Sequence, residues 1–490
     1  MTDQFVAIQI GAVSFVDEGT EAVLDTLQER ARVNKLFLAT PTWTRGTGGR
    51  QIPGHPIPDH GVREYDTDWV GGNYAGVHPQ YYGNTVLGPV GRAPEHPDLD
   101  LLAEVIPAAQ QRGMGSYAWI EESGYAAELR RYPNFPKLLE VDVWDRPARR
   151  PCFNNPDYKN WHLSIVEDYA KSYDLEGLAW CSERPGPLNL LIQRPVEASS
   201  ISCFCTYCKA IGRERGIDPH KAQLGYRELL KWSQATASGN KDSDGAFTSF
   251  WRILLHYPEV LAWQNLWTES QRQMYRDIYG VAKACNVDLQ VGWHVYHDIS
   301  FSPFFRADQD YQALAECSDF LKVVIYNNCA GPRFHTWISS ICQSLFADAT
   351  PAEVYPLMLK LLGLDEGAYE TLPASGFSAD YVRRETARAK AKVATAESQC
   401  AIYPGIDIDI PVGMKPAATD DRKRRQEALV GVNNDATSGD DLTACTRESV
   451  RDAVRAAFDG GADGVVLSRK YSEMTLETLS GAGDALADLA

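Results

Sequence analysis

The carboxylate with the clearest chemical potential in this 490-residue sequence is Glu183. It follows Gly177–Cys181, a short apolar run with the composition of a buried strand. Barrel enzymes place their catalytic groups at the carboxyl ends of parallel strands, where a carboxyl group can donate or accept a proton. Glu183 is therefore our candidate for a general acid or base. A salt bridge to the adjacent Arg184 is the alternative.

Three cysteines that follow Glu183 have the spacing of a metal site. Cys203, Cys205 and Cys208 form a C-x-C-x-x-C motif, and three thiolates at this spacing can occupy three corners of a tetrahedral zinc site. The fourth ligand must come from elsewhere, and Cys152 in the segment RRPCFNNPDY is the candidate. The motif predicts one structural zinc ion. Packing of reduced cysteines is the alternative.

A second carboxylate is needed wherever one carboxyl group acts as acid and another as base or nucleophile. Asp407 and Asp409 alternate with isoleucines in YPGIDIDIP, so both lie on one face of a predicted strand end. An acidic pair among apolar neighbours is costly unless it is used or paired. Asp407 is the preferred candidate. Asp409, Glu121 and Glu122 are rivals, and we expect one of the two glutamates to be structural only.

Other polar and aromatic side chains fall at the predicted ends of later strands. His294 and His297 can hydrogen-bond a substrate hydroxyl or a catalytic carboxylate, or they can bind a metal together with Asp298. Arg469 can meet an anionic substituent, and a salt bridge to one of the two aspartates is the alternative. The residues predicted to contact substrate are Glu121, Trp293, His294, His297, Tyr326, Asn327 and Arg469.

Strands and helices alternate along the sequence and determine how these side chains are positioned. Eight apolar runs predict strands, and sequence with helical spacing of apolar residues follows each run. Such alternation gives a parallel sheet, and eight units close into a (β/α)8 barrel, so residues 1–490 are predicted to form a single barrel domain. The predicted strands are Phe5–Ile10, Lys35–Ala39, Ser116–Ile120, Gly177–Cys181, Leu289–Val295, Phe320–Tyr326, Ala401–Ile406 and Gly464–Leu467.

The connection at residues 44–98, after the second strand, is much longer than the others. It is rich in glycine, proline, histidine and tyrosine, and loops of this length are normally functional or disordered. Its aromatic residues Trp69, Tyr74, Tyr81 and Tyr82 favour an ordered segment. We predict that this insertion lies over the barrel mouth and forms a wall of the binding cleft.

The composition and charge of the sequence limit the binding partners and the cellular compartment that we predict. A net charge of −17 makes nucleic acid and anionic membrane surfaces improbable partners. No window is long and apolar enough to span a bilayer, and the first residues lack the basic region of a signal peptide. Eleven cysteines without such a signal favour reduced thiols. We therefore expect a cytoplasmic protein, with homo-oligomerisation left open.

One stretch of the sequence resembles glycoside hydrolase family 42, the β-galactosidase-type family, and its barrel relatives. The segments CFNNPDY, GLAWCSERPG and CFCTYCKAIGRERG carry the resemblance, which covers about residues 149–216. It implies that Glu183 is the acid/base glutamate, and it implies a zinc site formed by Cys152, Cys203, Cys205 and Cys208. Ser182 stands where the family has asparagine, and the family's strand-seven glutamate and C-terminal domains have no evident counterpart here.

These observations predict a glycoside hydrolase that acts on a small soluble glycoside or oligosaccharide. Aromatic side chains would stack on sugar faces while polar side chains bind the hydroxyl groups. Because an aspartate is shorter than a glutamate, the gap to Glu183 favours inversion, with Asp407 as base. The alternatives are a metal-dependent sugar lyase or isomerase that uses His294, His297 and Asp298, and a carbohydrate-binding barrel without catalysis.

Overall fold

Eight parallel strands close into a barrel in this computed structural model, which describes residues 4–43, 49–50, 59–62, 69–122, 131–395, 399–410 and 445–489. The predicted (β/α)8 fold is confirmed. Around the barrel the order is β1, β2, β3, β6, β7, β8, β9 and β10, with β10 again beside β1. These strands are β1 Phe5–Gly11, β2 Lys35–Ala39, β3 Gly115–Glu121, β6 Gly177–Cys181, β7 Gln290–Val295, β8 Phe320–Val324, β9 Ala401–Asp407 and β10 Gly464–Ser468.

Helices of very different lengths follow the barrel strands. None of the described helices has both the length and the apolar character needed to cross a membrane. The α-helices are α1 Ala12–Glu18, α2 Thr20–Ala31, α3 Leu101–Gln111, α4 Pro156–Ser172, α5 Pro187–Gln193, α6 Thr206–Glu214, α7 Pro219–Ala237, α8 Ala246–His256, α9 Glu259–Cys285, α10 Asp298–Phe301, α11 Pro303–Asp308, α12 Tyr311–Ala315, α13 Asn327–Ile341, α14 Pro351–Leu362, α15 Leu372–Ser375, α16 Ala379–Val393, α17 Arg447–Asp459 and α18 Leu476–Asp488.

A small antiparallel hairpin interrupts the connection between β3 and α4. Its strands are β4 Leu139–Val141 and β5 Pro147–Pro151. The sequence pattern does not predict this hairpin, because each strand is short and lacks the alternation of apolar and polar residues that marks a longer strand. The hairpin matters for the site because Glu140, on β4, is buried beside the loop that follows β6.

Aromatic side chains fill the amino-terminal half of the barrel interior. Phe5 stacks on Tyr403 with ring centroids 3.9 Å apart, and Phe37, Tyr117 and Phe320 pack around them. Glycines on β6, β7 and β10 leave space for these rings; a Cβ at position 292 would lie 2.2 Å from the Phe320 ring. These rings therefore fill the interior at this end of the barrel.

One described part of the long insertion, residues 69–98, packs partly on α4. The His78 ring lies 2.6 Å from Asp168 Oδ1, and the Tyr82 hydroxyl donates to the same carboxylate at 3.2 Å. Tyr74 and Tyr82 are buried, and their rings belong to the hydrophobic core. Coverage of the barrel mouth by the insertion stays a prediction, because residues 44–48, 51–58 and 63–68 lie outside the described residues.

Candidate active site

A row of polar side chains crosses four adjacent strands near the carboxyl end of the barrel. Glu121 on β3 is paired with Cys181 on β6, Cys181 with His294 on β7, and His294 with Lys322 on β8. Glu121, His294 and Lys322 are all buried. A row of charged and polar groups inside a barrel is costly unless its members bind one another or a ligand, so this row defines the candidate site.

Glu183 lies at the edge of this row and reaches solvent. Its side chain is 48% exposed, and its Oε1 atom lies 2.6 Å from Nε2 of His294. Glu183 thus lies just beyond the end of β6, as the sequence predicted. Its hydrogen-bond partner is a histidine from the neighbouring strand β7. The alternative of a salt bridge to Arg184 is not found, because Arg184 binds two other carboxylates.

The two residues that flank Glu183 are both anchored to Glu122. Ser182 donates to Glu122 Oε2 at 2.6 Å, and Arg184 Nη1 donates to Glu122 Oε1 at 2.5 Å. Arg184 also binds Glu140 on β4 at 2.7 Å, and its guanidinium lies 4.1 Å from the ring centroid of Phe153. Glu122 therefore binds the side chains on both sides of Glu183, and a purely structural role for it stays a prediction.

The environment of Glu183 favours its ionised form. Desolvation of the carboxyl group acts to raise the pKa, but the hydrogen bond from His294 and the charges of Arg333 and Lys322 outweigh it and lower the pKa to about 2. Glu183 is then a carboxylate at neutral pH, which suits a base or nucleophile in the substrate-free protein. A role as proton donor would require substrate to raise this pKa.

Asp407 ends β9 and is fully buried. Its Oδ2 accepts from the Cys329 amide at 2.8 Å and its Oδ1 from the Ile410 amide at 3.3 Å, so it binds the first turn of α13 and its own loop. Burial raises its pKa to about 6, although these amides and Arg333 oppose the shift. Asp407 and Glu183 thus differ strongly in acidity, and pairing of the two in catalysis stays a prediction.

Asp409 and Arg469 have structural partners. Asp409 Oδ2 accepts from the Thr475 amide at 2.8 Å and from the Thr478 hydroxyl, at the start of α18. Arg469 forms an ion pair with Glu473, which is buried. Arg469 therefore pairs with Glu473, four residues along the chain, and not with Asp407 or Asp409 as the alternative expected. Catalysis by Asp409 and substrate binding by Arg469 stay predictions.

The remaining predicted substrate residues divide between the barrel mouth and the helix layer. His297, Tyr326 and Asn327 lie at the carboxyl end, all nearly buried. Trp293 lies on the opposite face of β7 from His294, is 0% exposed, and packs against Tyr275 of α9 with ring centroids 4.7 Å apart. That position corrects the prediction for Trp293, because alternation along a strand directs neighbouring side chains to opposite faces.

Glu121 is held by the segment that follows β2. Its Oε2 accepts from the Thr42 hydroxyl at 2.5 Å and from the Trp43 amide at 3.3 Å. Both contacts come from the residues just before the insertion, so Glu121 links β3 to the segment that follows β2. A direct contact between Glu121 and substrate stays a prediction.

The histidines do not form the metal site of the lyase alternative among the described residues. His297 Nδ1 is 3.0 Å from Arg333 Nη1 and its Nε2 is 3.1 Å from the Tyr381 hydroxyl, while His294 binds Glu183. Cys181, Glu183 and His294 do converge. However, two ligands of one tetrahedral zinc ion lie roughly 3.4 Å apart, and the 2.6 Å contact between His294 and Glu183 is a hydrogen bond.

The four predicted cysteine ligands form one buried cluster. Cys152, Cys203, Cys205 and Cys208 have sulfur atoms within 4.8 Å of one another. Sγ of Cys152 lies 3.5 Å from that of Cys208 and 3.6 Å from that of Cys205. Four thiolates around a zinc ion are separated by about 3.8 Å, so the donor set and its dimensions fit that metal. Cys203 also accepts from the Val141 amide at 3.4 Å.

The cysteine cluster joins three elements beside the candidate site. Cys152 precedes α4, Cys205 is the residue before α6, and the Val141 amide belongs to β4. Phe204, between two of the cysteines, stacks on Trp263 of α9 with ring centroids 5.1 Å apart. The cluster therefore closes the end of the loop that begins with Glu183, and it has the position of a structural rather than a catalytic site.

Comparison with solved structures finds glycoside hydrolases whose barrels have a similar fold. The chain has a TM-score of 0.51 and 11% identity to a β-galactosidase from the Antarctic haloarchaeon Halorubrum lacusprofundi, covering 98% of this chain and 57% of that one. A β-galactosidase from Marinomonas ef1 gives 0.51 and 9%, covering 99% and 59%. An α-L-fucosidase from Paenibacillus thiaminolyticus gives 0.47 and 13%, covering 100% and 49%.

The two comparisons with a TM-score of 0.51 show a shared fold. At such identities the likeness extends to the (β/α)8 barrel and not to specificity, and the chain spans only about half to three-fifths of the length of these proteins. No protein-family model and no curated protein sequence matches the chain. Membership of family 42 therefore stays a prediction from the motif between residues 149 and 216.

Two charged residues of the site were missed from the sequence. Lys322 lies within the apolar run FLKVV, and Arg333 lies in α13, which follows β8. A lysine inside a fully buried strand was a usable signal, because such a charge is costly unless it has a role. Arg333 had no comparable signal, since its approach to His297 and Glu183 depends on the path of α13.

Proposed function

We propose that this protein hydrolyses an O-glycosidic bond in a small soluble glycoside or oligosaccharide. The observation that carries the proposal is the half-exposed carboxylate of Glu183, held at the carboxyl end of a (β/α)8 barrel by His294. The two barrels with a TM-score of 0.51 are β-galactosidases, which supports a carbohydrate substrate. Glycoside hydrolysis needs such a carboxylate beside the scissile bond.

Glu183 and Asp407 are the proposed carboxyl pair. With a pKa of about 2, Glu183 acts first as nucleophile or base, while Asp407, with a pKa of about 6, is the group that can carry a proton in mildly acidic solution. This division differs from the acid/base role that the family resemblance implies for Glu183. Asp407 is buried in the substrate-free protein, so its participation requires substrate to reach the end of β9.

Kinetics of carboxamide variants on aryl glycosides test this pair. We expect Glu183→Gln to lower kcat roughly 10²- to 10⁴-fold, the range of a lost acid–base group, with an unchanged Tm. Asp407→Asn retains an acceptor for the Cys329 amide, so a comparable loss without unfolding supports its role. Glu29→Gln, on the exposed face of α2, is the matched control. Full activity of Glu183→Gln on a poor leaving group would exclude the mechanism.

The product configuration identifies the stereochemistry. NMR of the anomer formed at early times separates retention, which implies a covalent intermediate on Glu183, from inversion, which implies activated water. Sugar binding to the intact protein without turnover of any glycoside would favour the carbohydrate-binding alternative. Loss of turnover on removal of a loosely held metal, with the cysteine-bound metal retained, would favour the lyase alternative.

We further propose that the cysteine cluster holds one structural zinc ion. Its four sulfur atoms lie within 4.8 Å of one another, and a bound zinc ion would stabilise their thiolate forms. Elemental analysis should find about one zinc per chain. Cys208→Ser should release the metal and lower the Tm, whereas Cys285→Ser, at the end of α9 and outside the cluster, should do neither. Zinc-free protein of unchanged stability would reject the site.

A further inference from the structure

Lys322 is a fully buried lysine in the interior of the barrel. Its ammonium has three hydrogens and three neutral acceptors: the Tyr326 hydroxyl at 2.9 Å, Gln9 Oε1 at 3.4 Å and His294 Nδ1 at 3.4 Å. Among the described residues no carboxylate lies within 4.0 Å of it. Gly405 on β9 makes room for the side chain, since a Cβ there would lie 3.0 Å from Lys322 Cε.

The buried charge is stabilised only weakly by its surroundings. The ammonium lies 5.2 Å from the ring centroids of both Trp119 and Tyr326, which offers modest cation–π attraction. The titratable groups that face it are Cys181, Glu183, His294 and Tyr326. Burial lowers the pKa of Lys322 to about 7, while Cys181 and Glu183 oppose that shift. A lysine this costly to bury calls for a function.

The contact with Lys322 fixes the proton of His294. An ammonium group can only donate, so Nδ1 of His294 must be the bare acceptor. The ring hydrogen is then on Nε2, which donates to Glu183 at 2.6 Å. Burial and the charge of Lys322 lower the pKa of His294, so the ring remains neutral. Lys322, His294 and Glu183 therefore form one directed chain of hydrogen bonds from the barrel interior to the mouth.

We propose that Lys322 is a positioning residue that acts on Glu183 through His294, selecting the ring tautomer that donates to Glu183 and keeping Glu183 ionised and correctly oriented. Its catalytic consequence rests on the proposed glycosidase function, but its effect on His294 does not. Once Lys322 loses its proton, the ring is no longer restricted to this tautomer. Turnover is therefore expected to fall as the pH rises through about 7.

Nitrogen-15 NMR of histidine-labelled full-length protein tests the tautomer directly. His294→Asn identifies the His294 signals by their disappearance. In the wild-type protein we expect a protonated Nε2, a bare Nδ1 and no ring protonation in mildly acidic solution. Lys322→Met should lose the single tautomer and raise the His294 pKa. Lys322→Gln, which keeps a donor without the charge, should retain the tautomer. A proton on Nδ1 in the wild type would overturn the proposal even if no variant folds.

The pH profile of kcat supplies the catalytic readout. We expect the alkaline limb near pH 7 to be present in the wild type and absent in Lys322→Met, with lower kcat and little change in KM. Identical His294 tautomer and titration in wild type and Lys322→Met would also reject the inference. If the NMR spectra are as expected but the protein hydrolyses no glycoside, the proposed function is rejected. The action of Lys322 on the His294 tautomer would then still be established.

Discussion

Arg184 is the residue on which the geometry around Glu183 depends most directly. Its guanidinium is 3% exposed and binds Glu122, Glu140 and the Pro151 carbonyl. The Glu140 carboxylate is itself buried, and burial raises its pKa despite the charge of Arg184. Removal of one partner from such a buried network leaves charges without compensation, which is far more costly than loss of an exposed salt bridge.

We expect Arg184→Met to lower the free energy of unfolding by about 3–5 kcal/mol. Urea unfolding compared with the wild type measures the change. Arg213→Met, at an exposed position of α6, is the control and should change stability by less than about 1 kcal/mol. Addition of Glu140→Gln to Arg184→Met should restore part of the loss. A variant as stable as the control would show that this network does not stabilise the site loop.

At the scale of elements, the carboxyl ends of the strands serve both the site and the following helices. Asp407 binds amides in the first turn of α13, and Asp409 binds the residues that begin α18. Asp409 adopts a left-handed backbone conformation with φ of 52°, which asparagine and aspartate tolerate better than most residues. Its contacts therefore favour a structural role in the start of α18.

Asp409→Asn should preserve the backbone conformation while weakening these helix-start contacts. We expect a loss of about 1 kcal/mol in the free energy of unfolding, because hydrogen bonds to the carboxylate become hydrogen bonds to a neutral amide oxygen, with kcat close to wild type. Asp459→Asn, at the exposed end of α17, provides the comparison. If Asp409→Asn instead abolished turnover with an unchanged Tm, the catalytic prediction for Asp409 would hold and the structural one would not.

At the scale of the whole molecule, the barrel interior is divided along its axis. Aromatic rings fill the amino-terminal half, and the row from Glu121 to Lys322 occupies the other half. The polar half costs stability, because Lys322 is buried without an ion pair among the described residues. The stability of the fold should therefore depend on pH in a way that one residue controls.

Lys322 should make the folded protein more stable as the pH rises from about 7 to 10.5. Its pKa is lowered from 10.5 to about 7 in the fold, so within this window the unfolded chain binds more protons and the free energy of unfolding increases with pH. Lys322→Met lacks this contribution. Its stability advantage over the wild type should be largest at pH 7 and shrink toward pH 10.5 in urea titrations. A pH-independent difference would contradict the lowered pKa.

The sequence alone determined the barrel and the place of Glu183 in it. Apolar runs and helical spacing are local signals, so the eight strands were recognised to within a few residues, and Glu183 followed β6 as expected. The C-x-C-x-x-C motif similarly identified the cysteine cluster, because ligand spacing within one loop is local. The hairpin of β4 and β5 was missed because its strands are too short for periodicity to show.

Only the tertiary structure decided which charged groups meet. Register across β3, β6, β7 and β8 brings residues far apart in sequence into one row, and no local pattern encodes that register. The tertiary structure pairs Arg184 with Glu122 and Glu183 with His294. It also brings Lys322 within hydrogen-bonding distance of that histidine. The physical reason is that pKa values and hydrogen-bond direction depend on burial and on neighbours supplied by other strands.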